Sequence, residues 1–266
     1  MLLRTKSPFD MKNLVLLFWV LLPVFVIAQQ DSILSGVYQW KEPKKQSQNA
    51  IASAILFEGK AYDMEWLQMS ANELYPSKYN TKGVVPANEE HLIIIKSGNL
   101  SININNSAYS IGAGSVALLM PDEKFALKNQ TNQSCKYYVM KYRNKLPIDM
   151  ERGKTAGGSL IKDWNNIEFK PHDKGGRRDF FERPTAMFKR LEIHVTTLKE
   201  GLKSHDPHTH KAEEIVLVTD GKTEMQIGDQ LYKGGAGSIY YLGSNVPHAL
   251  QNIGQQNCTY FAIQFE

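Results

Sequence analysis

Three histidines and two glutamates fall within ten residues, His205-Asp206-Pro207-His208-Thr209-His210-Lys211-Ala212-Glu213-Glu214, just before the apolar run Ile215-Val216-Leu217-Val218. His208 and His210 are two apart on a segment that reads as extended, so their side chains share a face. Glu214 opens the apolar run, and His248 follows a Gly-rich turn on a returning strand. Neutral imidazoles supply lone pairs and the carboxylate supplies charge, a donor set that suits one divalent transition metal; Mn, Fe, Zn and Ni all remain open. Four protein ligands leave one or two positions for exchange on an ion that prefers six. Glu214 is also a candidate acid/base. His205 stands outside the pattern and is expected in a loop or beside a ligand rather than on the ion.

The elements that must position these residues read as β throughout. Short apolar or alternating runs are bounded by Gly, Asn, Asp and Ser, and helical periodicity is absent after residue 28. Asp220-Gly221 and Ser97-Gly98 each separate two such runs, which predicts tight hairpins. The chain also contains itself twice. Gly112-Ala113-Gly114-Ser115 returns as Gly235-Ala236-Gly237-Ser238, 123 residues later. The same offset carries Gly98 to Gly221, Asn129 to Asn252 and Cys135 to Cys258; upstream, after one slipped residue, Leu67 matches Leu191 and Leu74 matches Leu198. A repeat this long is a duplicated domain.

The first copy lacks the chemistry. At the common offset His208 corresponds to Val85, His210 to Ala87, Glu214 to His91 and His248 to Phe125. Glu89, Glu90 and His91 are then read as the polar start of a strand, and Phe125 as filling the space of a former site. The two cysteines, at equivalent places, are expected as buried free thiols.

His208, His210, Glu214 and Gly221 resemble the first cupin motif, and Gly237, His248 and Asn252 resemble the second. The resemblance implies that His208, His210, Glu214 and His248 are the metal ligands. It departs at Gly201, one residue off the family's upstream glycine, and at Gly243 and Asn245, where the family usually has proline and glycine. The two-copy layout resembles a bicupin. It implies an all-β fold of two tandem antiparallel barrels of jelly-roll type: residues 29–145 as a degenerate first barrel, 146–176 as a connection with some order near Trp164, and 177–266 as the metal barrel. Cupins include dioxygenases, decarboxylases, isomerases and non-enzymatic binders, so the family does not name a reaction. Ureidoglycine aminohydrolases are bicupins of similar length, but their ligand pattern includes a glutamine and a differently placed glutamate, so their activity is not carried over.

The chain of 266 residues has a mild formal charge of +4 and no basic run dense enough for a nucleic-acid arm. Lys12 and the apolar stretch up to Ala28 read as a cleaved signal peptide, residues 1–28, with Val26 and Ala28 at the −3 and −1 places. This predicts a periplasmic or extracellular protein with no stable membrane span after cleavage. Arg177, Arg178, Arg183, Lys189, Arg190 and His194 lead into the metal barrel and favour an anionic substrate if they line its mouth. In the run Thr223–Ile227 either Glu224 and Gln226 or Met225 and Ile227 face inward. The expected function is a metal-dependent isomerase, lyase or hydrolase acting on a small anionic or sugar-acid-type substrate, with the metal as Lewis acid. The alternatives are a non-catalytic metal-dependent binding protein and an iron dioxygenase. A second copy of the chain is the expected macromolecular partner.

Overall fold

A computed structural model describes residues 32–45, 50–76, 81–104 and 106–266. The signal peptide expected over residues 1–28 lies outside the described residues. The chain opens with β1 (Gly36–Gln39). The first copy follows as β2 (Ile51–Gly59), β3 (Met64–Leu74), β4 (Thr81–Val84), β5 (Glu90–Ser97), β6 (Asn99–Ile104), β7 (Ser107–Gly112), β8 (Val116–Leu119), β9 (Lys124–Lys128) and β10 (Cys135–Asn144). The connection holds helix α1 (Met150–Thr155), β11 (Leu160–Lys162), a 3-10 turn at Trp164–Asn166 and β12 (Lys170–His172). The second copy is β13 (Gly175–Arg183), β14 (Leu191–Leu198), β15 (Glu213–Asp220), β16 (Lys222–Ile227), β17 (Gln230–Gly235), β18 (Ser238–Leu242), β19 (His248–Asn252) and β20 (Cys258–Phe265). No helix among the described residues is long and apolar enough to cross a membrane.

The fold is all-β, with antiparallel pairing between the strands and two sheets in each copy. The first copy builds β11-β8-β5-β10-β3-β2 and β4-β9-β6-β7; the second builds β1-β18-β15-β20-β14-β13-β12 and β17-β16-β19. Alternation decides the faces. In β6, Leu100, Ile102 and Ile104 are buried, and in β16, Thr223, Met225 and Ile227 are. Two apolar clusters fill the barrel interiors. A third, larger one lies between the barrels, where Leu67, Leu92, Ile94 and Met140 meet Ile193, Ile215, Leu217 and Ile263.

The structure corrects the sequence reading in two places. The Ser97-Gly98 and Asp220-Gly221 turns are not hairpins. β5 and β6 lie in different sheets, as do β15 and β16, so each glycine turns a corner between sheets. Gly98 and Gly221 have φ of 80° and 85°, and a Cβ on Gly221 would sit 2.5 Å from the Cβ of Cys258. The corner glycine and the buried thiol beneath it form one packing unit, repeated at Gly98 and Cys135. Both cysteines are free, and burial pushes their thiols up, Cys135 to about 12 and Cys258 to about 11.

The second correction concerns the domain boundaries. β1, assigned above to the first barrel, pairs with β18 of the second, with Val37 opposite Tyr240. β11, assigned to the connection, pairs with β8 of the first, with Ile161 opposite Ala117. β1 and β11 occupy the same place in the repeat, so the copies exchange their leading strands. The duplicated Gly-Ala-Gly-Ser receives them. Trp40 after β1 packs on Gly237, and Trp164 after β11 packs on Gly114, whose added Cβ would lie 2.5 Å from the indole. Local turn chemistry cannot reveal such an exchange, because both destinations offer the same edge.

Phe125 is half-buried, its ring over Gly83. Phe125→Ala is expected to lower stability by about 2 kcal/mol, short of the larger loss from a fully buried ring. Urea denaturation checks this, and metal content should not change.

Candidate metal centre

His208 and His248 face each other across an isolated antiparallel bridge, each N–H donating to the other's carbonyl at 3.2 and 3.1 Å. The backbone of His210 is fixed by Asn245, whose N–H donates to the His210 carbonyl at 2.8 Å. Asn245 has φ of 58°, so the turn that departs from the cupin pattern still supplies a left-handed residue. The side-chain nitrogens of His208, His210 and His248 lie within 4.8 Å of one another, a group able to hold a metal ion.

The second atoms of two rings set their tautomers. His210 Nδ1 lies 2.7 Å from the Ala212 carbonyl, and His248 Nδ1 lies 2.8 Å from the Val246 carbonyl. Carbonyls only accept, so each Nδ1 carries a proton and each Nε2 points inward. There the Glu214 carboxylate waits, with Oε2 3.2 Å from His210 Nε2 and 3.3 Å from His248 Nε2. Buried His248 Nε2 has no hydrogen-bond partner. Burial raises the pKa of Glu214, but hydrogen bonding from His210 and the nearby His248 outweigh it and bring it down to about 2. The same hydrogen bond raises the pKa of His210. Two inward nitrogens, one of them orphaned, converge on an ionised carboxylate, and a cation satisfies all three.

The strand pairing corrects the residue mapping to the first barrel. His208 pairs with His248, and the counterpart of His248, Phe125, pairs with Gly83. His208 therefore corresponds to Gly83. His210 corresponds to Val85, whose carbonyl accepts from Asp122 as that of His210 accepts from Asn245. Neither Gly83 nor Val85 has a ligating side chain. Glu90 is not part of a cluster with Glu89 and His91. It is buried between the barrels, accepting from Thr185 Oγ1 at 2.8 Å, Ala186 N at 2.8 Å and Tyr142 Oη at 2.9 Å. His91 meets Glu89 alone, at 2.9 Å.

The histidine group opens into a cavity of about 310 Å³. Buried Leu198, Val216, Met225 and Leu250 line it beside the polar side chains of Thr196, Tyr260 and Gln264. Met225 faces inward, which settles the choice of face on β16. Of the basic stretch, Arg177 and His194 reach the cavity. Arg178 stacks on Trp164 and Arg183 donates to the Ala156 and Gly158 carbonyls, so both serve the fold. His172 and Lys174, in the segment read as connection, also line the cavity, and Lys174 Nζ donates to the Ser204 carbonyl across the mouth at 2.9 Å. Their sequence signal was the Asp-Lys-Gly-Gly turn between two short strands. His205 lines the cavity from a loop, its ring 4.1 Å from that of His208.

A cupin domain model matches residues 194–264, and a model of the AraC-like ligand-binding domain matches residues 82–149. Residues 194–264 thus form a cupin domain, and the all-β fold of the chain is of the cupin type. Solved structures share the fold over most of the chain. AerE from Microcystis aeruginosa is 16% identical over 86% of this chain and 98% of its own, with a TM-score of 0.63. Protein Ylba from E. coli is 13% identical over 90% and 95%, with a TM-score of 0.66. The oxalate decarboxylase of Lactobacillus farciminis, in complex with formate, is 10% identical over 89% and 87%, with a TM-score of 0.64. At these identities the likeness establishes the fold alone. No curated protein matches the chain.

Elemental analysis is expected to find about one divalent ion per chain, on the donor logic above. His210→Ala should remove most of it. Undiminished metal in that variant, or two equivalents in the unaltered chain, would refute the assignment.

Proposed function

We propose that the chain is an exported metalloenzyme that acts on a small anionic substrate through an ion held by His208, His210, Glu214 and His248. One observation carries this reading: the cavity that receives the histidine group is walled by Lys174, Arg177, His172 and His194. A divalent ion bound there supplies a Lewis acid for a substrate oxygen. The protein's own residues bind and orient. Lys174 and Arg177 offer charged donors at the mouth, and Asp179 and Glu192 hold the Arg177 guanidinium in place. Glu214, whose carboxyl is held down at about 2 by the neighbouring His210 and His248, serves as an anionic ligand.

A binding-only reading draws on the AraC-like match, but that match covers the first barrel. There Ile93, Ile102, Leu127, Tyr137 and Val139 pack the interior.

Titration calorimetry of the Zn-loaded protein with oxalate should show binding that metal removal abolishes. Lys174→Ala combined with Arg177→Ala should weaken it about tenfold or more, the scale of one lost charge-assisted hydrogen bond. Oxalate binding that survives chelation would refute the site. N-terminal sequencing of the mature protein is expected to start near Gln29; recovery of residues 1–28 from a membrane fraction would contradict export.

A further inference from the structure

We propose that His194 is the proton-transfer residue of this cavity, oriented by Glu192, and that the substrate is a carboxylate with an acidic C–H beside a carbonyl. The proposal deepens the metalloenzyme reading and rests on it. His194 lies on β14 and lines the same cavity as His208, Glu214 and His248. Its Nδ1 is 3.0 Å from Glu192 Oε1. Glu192 is buried behind the cavity wall and also accepts from Arg177 Nη2 at 2.7 Å and from Arg190 Nη2. A carboxylate flanked by two guanidinium groups only accepts, so Nδ1 of His194 bears the proton. That leaves Nε2 with its lone pair and, among the described residues, no hydrogen-bond partner. Burial, aided by the Arg177 charge, lowers the pKa of His194 against the opposing pull of Glu192 and Glu214, which favours the neutral ring.

The first barrel provides an internal control. His194 pairs with Ala262 and Glu192 with Gln264; the corresponding pairs are Ser70 with Val139 and Gln68 with Lys141. The dyad is thus Ser70 and Gln68 in the barrel that lacks the metal ligands. Carboxylates that serve the fold, Glu90 and Glu213, stand in both barrels. The other cavity histidines do not share the arrangement. His172 and His205 are exposed, and His205 Nδ1 meets only the Asp206 carbonyl.

In the proposed step Nε2 takes a proton from the carbon next to the carbonyl. The C–H electron pair forms the carbon–carbon double bond of the enolate, and the carbonyl π pair moves to oxygen. The imidazolium then returns a proton to carbon, so the cycle needs no oxidant or reductant. Glu192 stabilises the imidazolium without taking its proton.

Two measurements test this on the full mature chain. In the metal-free protein, ¹⁵N NMR of labelled histidine should show His194 as the Nδ1–H tautomer, and Glu192→Gln should abolish that preference. With Zn loaded, deuterium uptake from D₂O into pyruvate or 2-oxoglutarate, followed by mass spectrometry, should be catalysed. His194→Asn should slow uptake by about 100-fold or more, the usual share of general-base catalysis, with zinc content unchanged. Glu192→Gln, which retains His194, should slow it by a smaller factor. Wild type that takes up no metal would overturn the metalloenzyme reading. Wild type that holds zinc but exchanges neither keto acid, or His194→Asn that exchanges at the wild-type rate, would overturn the role of His194 alone.

Discussion

Glu213 and Glu214 are consecutive on β15, so the period of a strand sends them to opposite faces. Glu214 faces the cavity. Glu213 faces the other barrel, where its carboxylate accepts the N–H groups of Tyr62 and Asp63 at 2.9 and 3.2 Å and the hydroxyl of Tyr241. Glu90 does the same in reverse, accepting from Thr185 and Ala186 of the second copy. A buried carboxylate without donors costs several kcal/mol, and here each barrel supplies the donors for the other's carboxylate. The register of β15 is therefore fixed by the first barrel. A one-residue slip would bury Glu214 between the barrels and turn Glu213 into the cavity. The exchanged strands act in the same direction, since β1 completes the sheet that carries β15. The metal barrel cannot be satisfied alone, which explains why a copy without ligands is retained in full.

Comparing the two copies separates fold from chemistry. Both keep the corner glycines over the cysteines, the glycines that receive Trp40 and Trp164, and the interface carboxylates. Both also keep an asparagine that ties two loops: Asn129 donates to Leu74 and Gln133 carbonyls, and Asn252 to Leu198 and Gln256 carbonyls. Only the second has the histidine group, the His194–Glu192 pair and a cavity among them. In the first, Phe125 lies on Gly83 and the interior is filled by branched and aromatic side chains. The difference is one of ligand type: the cleft at Gly83, Val84 and Phe125 of the first barrel is lined by no histidine.

The duplication and the three histidines were legible because both are written in local spacing: identical turns at a fixed offset, and ligands two apart on an extended segment. On β16 alternation left two faces open until Met225 was seen to point inward. What spacing does not carry is destination. Asp220-Gly221 looks the same whether the next strand pairs with the last or crosses to another sheet, and only the packing of Gly221 on Cys258 distinguishes them. The leading strands read as ordinary edge segments, and their exchange depends on contacts far away in sequence. Of the basic stretch, Arg177 and His194 reach the cavity, because β13 and β14 turn the others toward Trp164, helix α1 or Glu182. His172 and Lys174 were missed because they belong to a hairpin that looked like a linker.

The charge balance of the cavity links the ion to the substrate. In the absence of metal, Glu214 is ionised and His210 is drawn toward protonation, so their charges offset each other. On the proposed reading a divalent ion displaces that proton and leaves a net positive charge beside Glu214. Lys174 and Arg177 add to it at the mouth, although Glu192 and Asp179 offset the arginine. On that reading the excess is stabilised best by an anion that reaches the ion itself. A neutral ligand of the same size would leave it uncompensated. On the proposed reading, the preference for an anionic substrate would follow from the ligand set, and the basic residues at the mouth would add to it.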